Sequence, residues 1–303
     1  MKKSLLVLGL AVAAFTSCSN DEVLDINKNT NIGFDAFVNK GTRAVTETNA
    51  SLTKFYVYGY HGSTTDFAGT QVTGTVGGGV WSYANPVPWT DNTYQFAACA
   101  NNNDGAVPGG VSFADKKLTI TDYSISDAND LVAALALDVD GSAKSTVDFD
   151  FKHLLSRIKF QFTHSTDYDV EIPTITIQVK KSGTCTYDNS GIKWISAATA
   201  ADLQFTGTWD GKTYKTDDHL VMPGQELNDI TATFDVVFKV AGTSDVVDTK
   251  KYTDVSLKSN IDTWLPGYYY TYTAAIAPTT TDITFSCSAV TGWDTTTNPP
   301  YNN

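Results

Sequence analysis

The chain is poor in glutamate and methionine and carries no long apolar run. Only four of its 303 residues are glutamate and two are methionine, although aspartate and glutamate together number 33. Glutamate and lysine favour helices, whereas the abundant tyrosine, phenylalanine, valine and threonine favour strands. The shortage of helix formers argues against a helical fold, and the surplus of strand formers predicts an all-β protein.

Cysteine is also scarce, and no Cys-x-x-Cys pair occurs, so a structural zinc site is not expected. If Cys18 is lipidated, as argued below, Cys99, Cys185 and Cys287 remain, and an odd number cannot form a complete disulfide framework. Cys99 and Cys287 lie in apolar, strand-like segments. We expect both to behave as small buried hydrophobic residues.

Recognisable catalytic machinery is missing as well. Gly77-Gly78-Gly79 lacks the strand and helix that flank a phosphate-binding loop, and the four histidines are scattered. Residues 138–141 do not continue into a calcium-binding loop. We therefore expect no cofactor, no metal and no enzymatic activity. Hydrolysis by paired carboxylates stays an alternative, because any two aspartates can meet in a fold.

Basic residues are outnumbered, which excludes one class of partner. The formal net charge is −12, and removal of residues 1–17 would leave 19 basic and 33 acidic residues, a net charge of −14. Nucleic acid is bound mainly through lysine and arginine. The sequence therefore argues against nucleic acid as a partner.

The N-terminus carries an export signal. Lys2 and Lys3 precede an apolar run from Leu5 to Phe15, which is typical of a signal peptide and too short to span a bilayer. Cys18 follows small residues as in a bacterial lipobox. We expect residues 1–17 to be removed and Cys18 to be lipidated, which anchors the chain to a membrane. The acidic residues 19–22 are either a surface-export signal or a solvated linker.

Alternating residues after this spacer predict a first strand. Its apolar face is formed by four residues: Ile32, Phe34, Ala36 and Val38. A polar, turn-like break then leads to Arg43 and Ala44. Residues 131–139 favour a buried strand or a short turn over a helix, and residues 189–202 could hold one helical turn.

Further strands recur every ten to fifteen residues, which is typical of β-sandwiches. The predicted organisation is a lipidated pro-segment over 18–43, an N-terminal β-sandwich domain over 44–150 and a C-terminal one over 151–303.

Four stretches together resemble the fimbrillin family of pilus subunits. They are the lipobox with its acidic spacer, KGTRA at 40–44, FDFKHLLSRIKF at 149–160, and WLPGYYYTYTAAI at 264–276 followed by DITFSCSAVTGW at 282–293. The resemblance implies two tandem transthyretin-like β-sandwich domains and export as a lipoprotein to the cell surface. It further implies cleavage after Arg43 by an arginine-specific protease, which leaves Ala44 as the new N-terminus.

The resemblance also implies that the first strand acts as a plug that fills a groove in the N-terminal domain. Its removal opens a groove that a strand of another fimbrial subunit fills, so that subunits join by strand exchange. In stalk subunits the donated strand lies near the C-terminus, here within 281–303. Stalk, tip and anchor roles stay open.

The alternative is a surface lipoprotein that binds glycans and does not polymerise. The alternating tyrosines at 268–270 and 272 are most simply part of the sheet surface and core, although exposed tyrosines could also stack on sugars.

Overall fold

The computed structural model describes residues 30–38, 52–74, 81–101, 110–126 and 130–291, with the side chains of the last two residues excepted. Within these ranges the chain is all-β, as predicted, and its helices are two short 3-10 turns at Gly141–Ala143 and Leu227–Asp229. Neither turn has the length or apolar character that a bilayer crossing would require. Cys18, Arg43 and Ala44 lie outside the described residues.

The strands are numbered in chain order. Those of the N-terminal half are β1 (Phe34–Val38), β2 (Lys54–His61), β3 (Thr64–Thr73), β4 (Ser82–Tyr83), β5 (Thr93–Asn101), β6 (Gly110–Ala114), β7 (Lys117–Ser124), β8 (Leu131–Asp140) and β9 (Val147–His153). Those of the C-terminal half are β10 (Ser156–His164), β11 (Asp169–Glu171), β12 (Ile175–Lys180), β13 (Ser182–Asp188), β14 (Gly191–Ser196), β15 (Ala200–Phe205), β16 (Gly207–Asp210), β17 (Thr213–Thr216), β18 (His219–Val221), β19 (Thr231–Lys239), β20 (Val246–Ser256), β21 (Tyr268–Ile276) and β22 (Ser286–Thr291).

A seven-stranded sheet dominates the N-terminal half, in the order β1-β9-β8-β5-β2-β3-β4. Side chains along its strands alternate between an inner and an outer face. Those on the inner face form one apolar core that is rich in phenylalanine. The sheet places β1 at one edge and β4 at the other. Residues 131–139, predicted as a strand, are confirmed as part of β8.

The C-terminal half contains two sheets around a second core. One follows the order β16-β17-β10-β21-β22, with β18 also paired to β10, and the other follows β11-β19-β12-β15, with β20 paired to β19. Their inward residues belong to one apolar cluster that includes Phe160, Phe234 and Trp264. The arrangement agrees with the predicted sandwich class.

A fourth sheet takes strands from both halves, in the order β14-β13-β7-β6. Cys185 of β13 lies opposite Ile120 of β7, and a third apolar cluster beneath this sheet joins Leu118 and Tyr123 to Leu154 and Leu220. β9 runs across the predicted boundary at residue 150, and the chain changes sheet at Leu154-Leu155. The division into two domains stays a prediction.

The predicted helical turn within 189–202 is wrong. β14 and β15 occupy most of this segment, and β14 pairs with β13 through Cys185 opposite Trp194. Asn189 and Ser190 form the turn between β13 and β14, and Gly191, the first residue of β14, adopts a φ of 114° that suits glycine. Strand pairing supplies the hydrogen bonds that an isolated helical turn would leave unmade.

Candidate functional site: the leading segment and its groove

Residues 30–38, here called the leading segment, form one edge of the N-terminal sheet. Among the described strands, the strand within it, β1, pairs with β9 alone, in parallel, from Phe34 opposite Val147 to Val38 opposite Phe151. The N–H of Val147 also donates to the carbonyl of Gly33 at 2.9 Å. A strand with one neighbour can leave a sheet without breaking any pairing between the others, and parallel ladders are slightly less stable per residue.

Alternate side chains of the leading segment are buried in the core. The exposed fractions are 1% for Ile32, 5% for Phe34, 0% for Ala36 and 4% for Val38. This is the apolar face predicted from the sequence. All four belong to the same apolar cluster as the inner face of the sheet. The segment is therefore an integral part of the core, although it sits at the edge of the sheet.

Phe34 lies at the centre of a cluster of aromatic side chains. Its ring stacks on Phe149 at 5.6 Å between centroids and meets the rings of Phe67, Phe96 and Tyr83 at 5.3, 5.9 and 5.5 Å. Edge-to-face and offset contacts of this kind add to the stabilisation from area burial. These four rings line what we call the leading-segment groove, the trough that would open if the segment left.

The first residues of the leading segment are held by a second set of contacts. The N–H of Ile32 donates to the carbonyl of Val87 at 2.8 Å, and the N–H of Trp89 donates to the carbonyl of Thr30 at 2.9 Å. Asn31 forms an antiparallel bridge with Pro88. The segment 87–89 is thus a backbone partner of the leading segment.

Tyr83 reinforces this contact. Its hydroxyl donates to the carbonyl of Ile32 at 2.7 Å and accepts from the N–H of Val87 at 3.2 Å. Burial raises the pKa of Tyr83 above its ordinary value, although the Val87 N–H acts in the opposite direction. The hydroxyl therefore stays protonated and able to donate at neutral pH.

Sequence reasoning missed this second set of contacts. Tyr83 and Ile32 are 51 residues apart, and no local pattern marks a pairing over that distance. Pro86 and Pro88 in the segment 84–92 predict a turn, and they carry no information about its partner.

The predicted lipidation and processing residues, Cys18, Arg43 and Ala44, fall outside the described residues, so their roles stay predictions. In sequence, the described residue nearest to Arg43 is Val38, at the end of β1.

The region predicted to hold a donated strand is partly built into this chain's own core. β22 pairs antiparallel with β21, and Phe285, Cys287 and Ala289 are buried in the C-terminal cluster. Ile283 packs against the same cluster.

The tyrosines considered for sugar stacking serve the fold instead. Tyr269, Tyr270 and Tyr272 are buried, and the hydroxyl of Tyr272 accepts from the indole N–H of Trp264 at 3.0 Å. Their ring faces are not available to a sugar, and the prediction that tyrosines of this strand belong to the core is confirmed for these three. Among the described residues, no three histidine, cysteine or acidic side chains are grouped to hold a metal ion.

A cleft of about 450 Å³ opens elsewhere, between the β2–β3 hairpin and β6. Three half-buried rings line it, Tyr58, Tyr60 and Phe113, with Tyr60 and Phe113 5.4 Å apart between centroids. The exposed residues Thr65 and Asp115 add a hydroxyl and a carboxylate. The cleft thus combines apolar rings with a few polar groups, as small-ligand sites commonly do.

Comparison with known proteins places these features in context. The family model described as fimbrillin-like matches residues 42–293, a range that begins after the leading segment. A search of curated proteins finds no significant match.

Among solved structures, a fimbrial protein from Bacteroides vulgatus is similar, with a TM-score of 0.61 and 17% identity over 86% of this chain and 99% of that one. A candidate cell adhesion protein from Bacteroides uniformis has a TM-score of 0.55 and 18% identity over 87% and 99%. Another candidate cell adhesion protein, from Bacteroides ovatus, has a TM-score of 0.54 and 16% identity over 87% and 98%. At these identities the likeness shows a shared fold.

Proposed function

Since this chain belongs to the fimbrillin-like family and is a cell-surface fimbrial or adhesion subunit rather than an enzyme, we propose that it assembles with other fimbrial subunits by strand exchange. The exported chain is lipidated at Cys18 and held at the outer membrane. An arginine-specific protease cuts after Arg43. The leading segment is then replaced by a strand of another subunit.

One observation carries this proposal: the leading segment is an edge strand whose side chains fill the centre of the core. Its loss would leave the edge of β9 unpaired and uncover Phe34's neighbours Phe67, Phe96 and Phe149. An unpaired edge beside an apolar trough is a template for another strand, which supplies main-chain hydrogen bonds and alternate side chains.

Burial of the leading segment and its covalent tether both favour a monomeric uncut chain. Burial of a side chain the size of Ile32, Phe34 or Val38 contributes about 1.5–3 kcal/mol. The intact chain keeps the segment at a high effective concentration, of the order of millimolar for a short linker, so that it outcompetes strands of other molecules. Cleavage removes that advantage and also separates the body from the lipid on Cys18.

The test treats residues 19–303 with a low dose of an arginine-specific protease, because trypsin would also cut after Lys40, three residues before Arg43. We expect an early cut after Arg43, a body that starts at Ala44, and a ladder of oligomers on non-boiled gels. Arg43→Gln is the matched control and should stay uncut and monomeric under the same dose. A body that starts at Ala44 and stays monomeric with any fimbrial subunit added would contradict strand exchange.

Glycan binding is a second candidate, favoured by the cleft beside β6. Aromatic faces of Tyr60 and Phe113 with the nearby Asp115 carboxylate suit the apolar and hydroxyl faces of a sugar. Binding to a glycan array should then be lost in Phe113→Ala and retained in Phe37→Ala, a matched truncation outside the cleft. Equal binding by both variants would remove this candidate.

A further inference from the structure

The contacts at the start of the leading segment point to a step between cleavage and assembly. We propose that Tyr83, Val87 and Trp89 form a clamp that keeps the cut leading segment in its groove, so that an incoming strand must displace it. This inference rests on the proposed function, because it concerns how the same groove is emptied and filled.

The geometry separates the clamp from the cut. The clamp holds Thr30 and Ile32 through three hydrogen bonds of 2.9, 2.8 and 2.7 Å. Arg43, the predicted cleavage residue, lies beyond the other end of β1. A cut there leaves every described contact of residues 30–38 in place.

The leading segment is consequently held on two sides by different elements. β9 pairs with residues 33–38, and the segment 87–89 pairs with residues 30–32. A competing strand that pairs with β9 would displace the first set of contacts and leave the second set to be broken separately. Arg43 follows Val38 in the sequence, so a cut after Arg43 separates the leading segment from the rest of the chain at the end away from the clamp.

Retention of the segment has a physical consequence for assembly. An empty groove would expose the β9 edge and several aromatic rings, which is a hazard for non-specific association. A clamped segment keeps the groove filled until an extended apolar strand of another subunit arrives. Filling and emptying then occur in one exchange, and the body never carries an open groove.

The chain offers a matched pair of variants to test the clamp. Tyr83→Phe removes the hydroxyl that donates to the Ile32 carbonyl at 2.7 Å. Tyr214→Phe removes a similar hydroxyl, which donates to the carbonyl of Ile172 at 3.0 Å in the C-terminal half. Both changes delete one tyrosine-to-carbonyl hydrogen bond, and only the first touches the leading segment.

The experiment uses residues 19–303 with the recognition sequence of a site-specific protease placed between residues 44 and 51. The cut is therefore made whether or not Arg43 is a natural processing site. After cleavage, the labelled N-terminal fragment is followed by size-exclusion chromatography, and its dissociation rate is measured by dilution with unlabelled competitor fragment.

We expect the fragment to co-elute with the body in the original protein. Tyr83→Phe should raise its dissociation rate about threefold to tenfold, as loss of one neutral hydrogen bond allows. Tyr214→Phe should leave the rate unchanged, although it lowers thermal stability.

Immediate loss of the fragment from the original protein would overturn the inference and leave strand exchange standing. So would equal dissociation rates in Tyr83→Phe and the original protein. Failure of an arginine-specific protease to cut after Arg43, by contrast, bears on the proposed processing and not on the clamp.

Discussion

Phe34 of the leading segment stacks on Phe149 of β9, with centroids 5.6 Å apart and planes inclined by 20°. The two residues are diagonal neighbours, since Phe34 lies opposite Val147 and Ala36 lies opposite Phe149. This contact joins β1, which leaves the sheet in the proposed exchange, to β9, which remains in it. Its strength therefore influences both the stability of the uncut chain and the release of the cut segment.

Phe34→Ala should lower the free energy of unfolding by about 3–5 kcal/mol, because it removes a buried ring and leaves a cavity. Phe37→Ala is the matched control, since Phe37 is a half-buried phenylalanine on the opposite face of β1, and its cost should be about 1 kcal/mol. Urea denaturation of the uncut chain measures both. Similar losses for the two variants would contradict the assigned face of β1.

Gly59→Ala should disturb the packing of the leading-segment groove on the side formed by Phe96. Gly59 lies opposite Phe96 in the β2–β5 ladder, and a Cβ at position 59 would come within 2.5 Å of the Phe96 ring. The ring would have to move, and it contacts Phe34 at 5.9 Å. We expect a loss of about 1–3 kcal/mol in denaturant unfolding. Unchanged stability would mean that Phe96 has room that the structure does not show.

The three cysteines of the body should resist alkylation in the native state. Cys99, Cys185 and Cys287 are free thiols, and burial raises the pKa of each to about 12. The thiolate is the reactive form, so at pH 8 iodoacetamide should label none of them in residues 19–303, and all three after unfolding. Mass spectrometry counts the labels. Native labelling of one cysteine would show that its burial is only transient.

The same shifts predict the sign of a pH effect on stability. Unfolded thiols ionise near pH 8.5, whereas the native ones hold their protons to about pH 12. Between these values the native state binds more protons, so stability should fall as pH rises. Replacing Cys99 by alanine should reduce this slope in urea titrations at pH 8 and pH 10. A slope unaffected by the replacement would contradict the assignment to Cys99.

The two halves should not fold independently. The sheet β14-β13-β7-β6 and the cluster around Tyr123, Leu154 and Leu220 take residues from both. Residues 19–153 expressed alone would expose Leu118, Ile120 and Tyr123, and we expect aggregation or poor NMR dispersion. The whole chain should unfold in one transition. A well-folded 19–153 fragment would support two autonomous domains and contradict this expectation.

Much of the local structure was predictable from the sequence, because side-chain alternation and turn residues act over a few neighbouring positions. The alternation at residues 32–38 predicts β1 (Phe34–Val38) and its buried face, and the short apolar stretch at 131–139 favours a strand or short turn over a helix, of which the strand is observed as β8. The prediction of a helical turn within 189–202 was wrong because β14 has only a weak alternation of apolar and polar residues. It lies in a partly exposed hairpin, where pairing with β13 decides the conformation.

The sequence by itself determined which side of the leading segment is apolar, because a strand alternates its faces whatever its partner is. Only the tertiary structure decided that β9 and the Tyr83–Trp89 clamp hold that segment, and that one sheet joins the two halves. The reason is that strands pair through uniform backbone N–H and C=O groups. Such groups carry no label for a partner dozens of residues away, so packing of the whole core selects it.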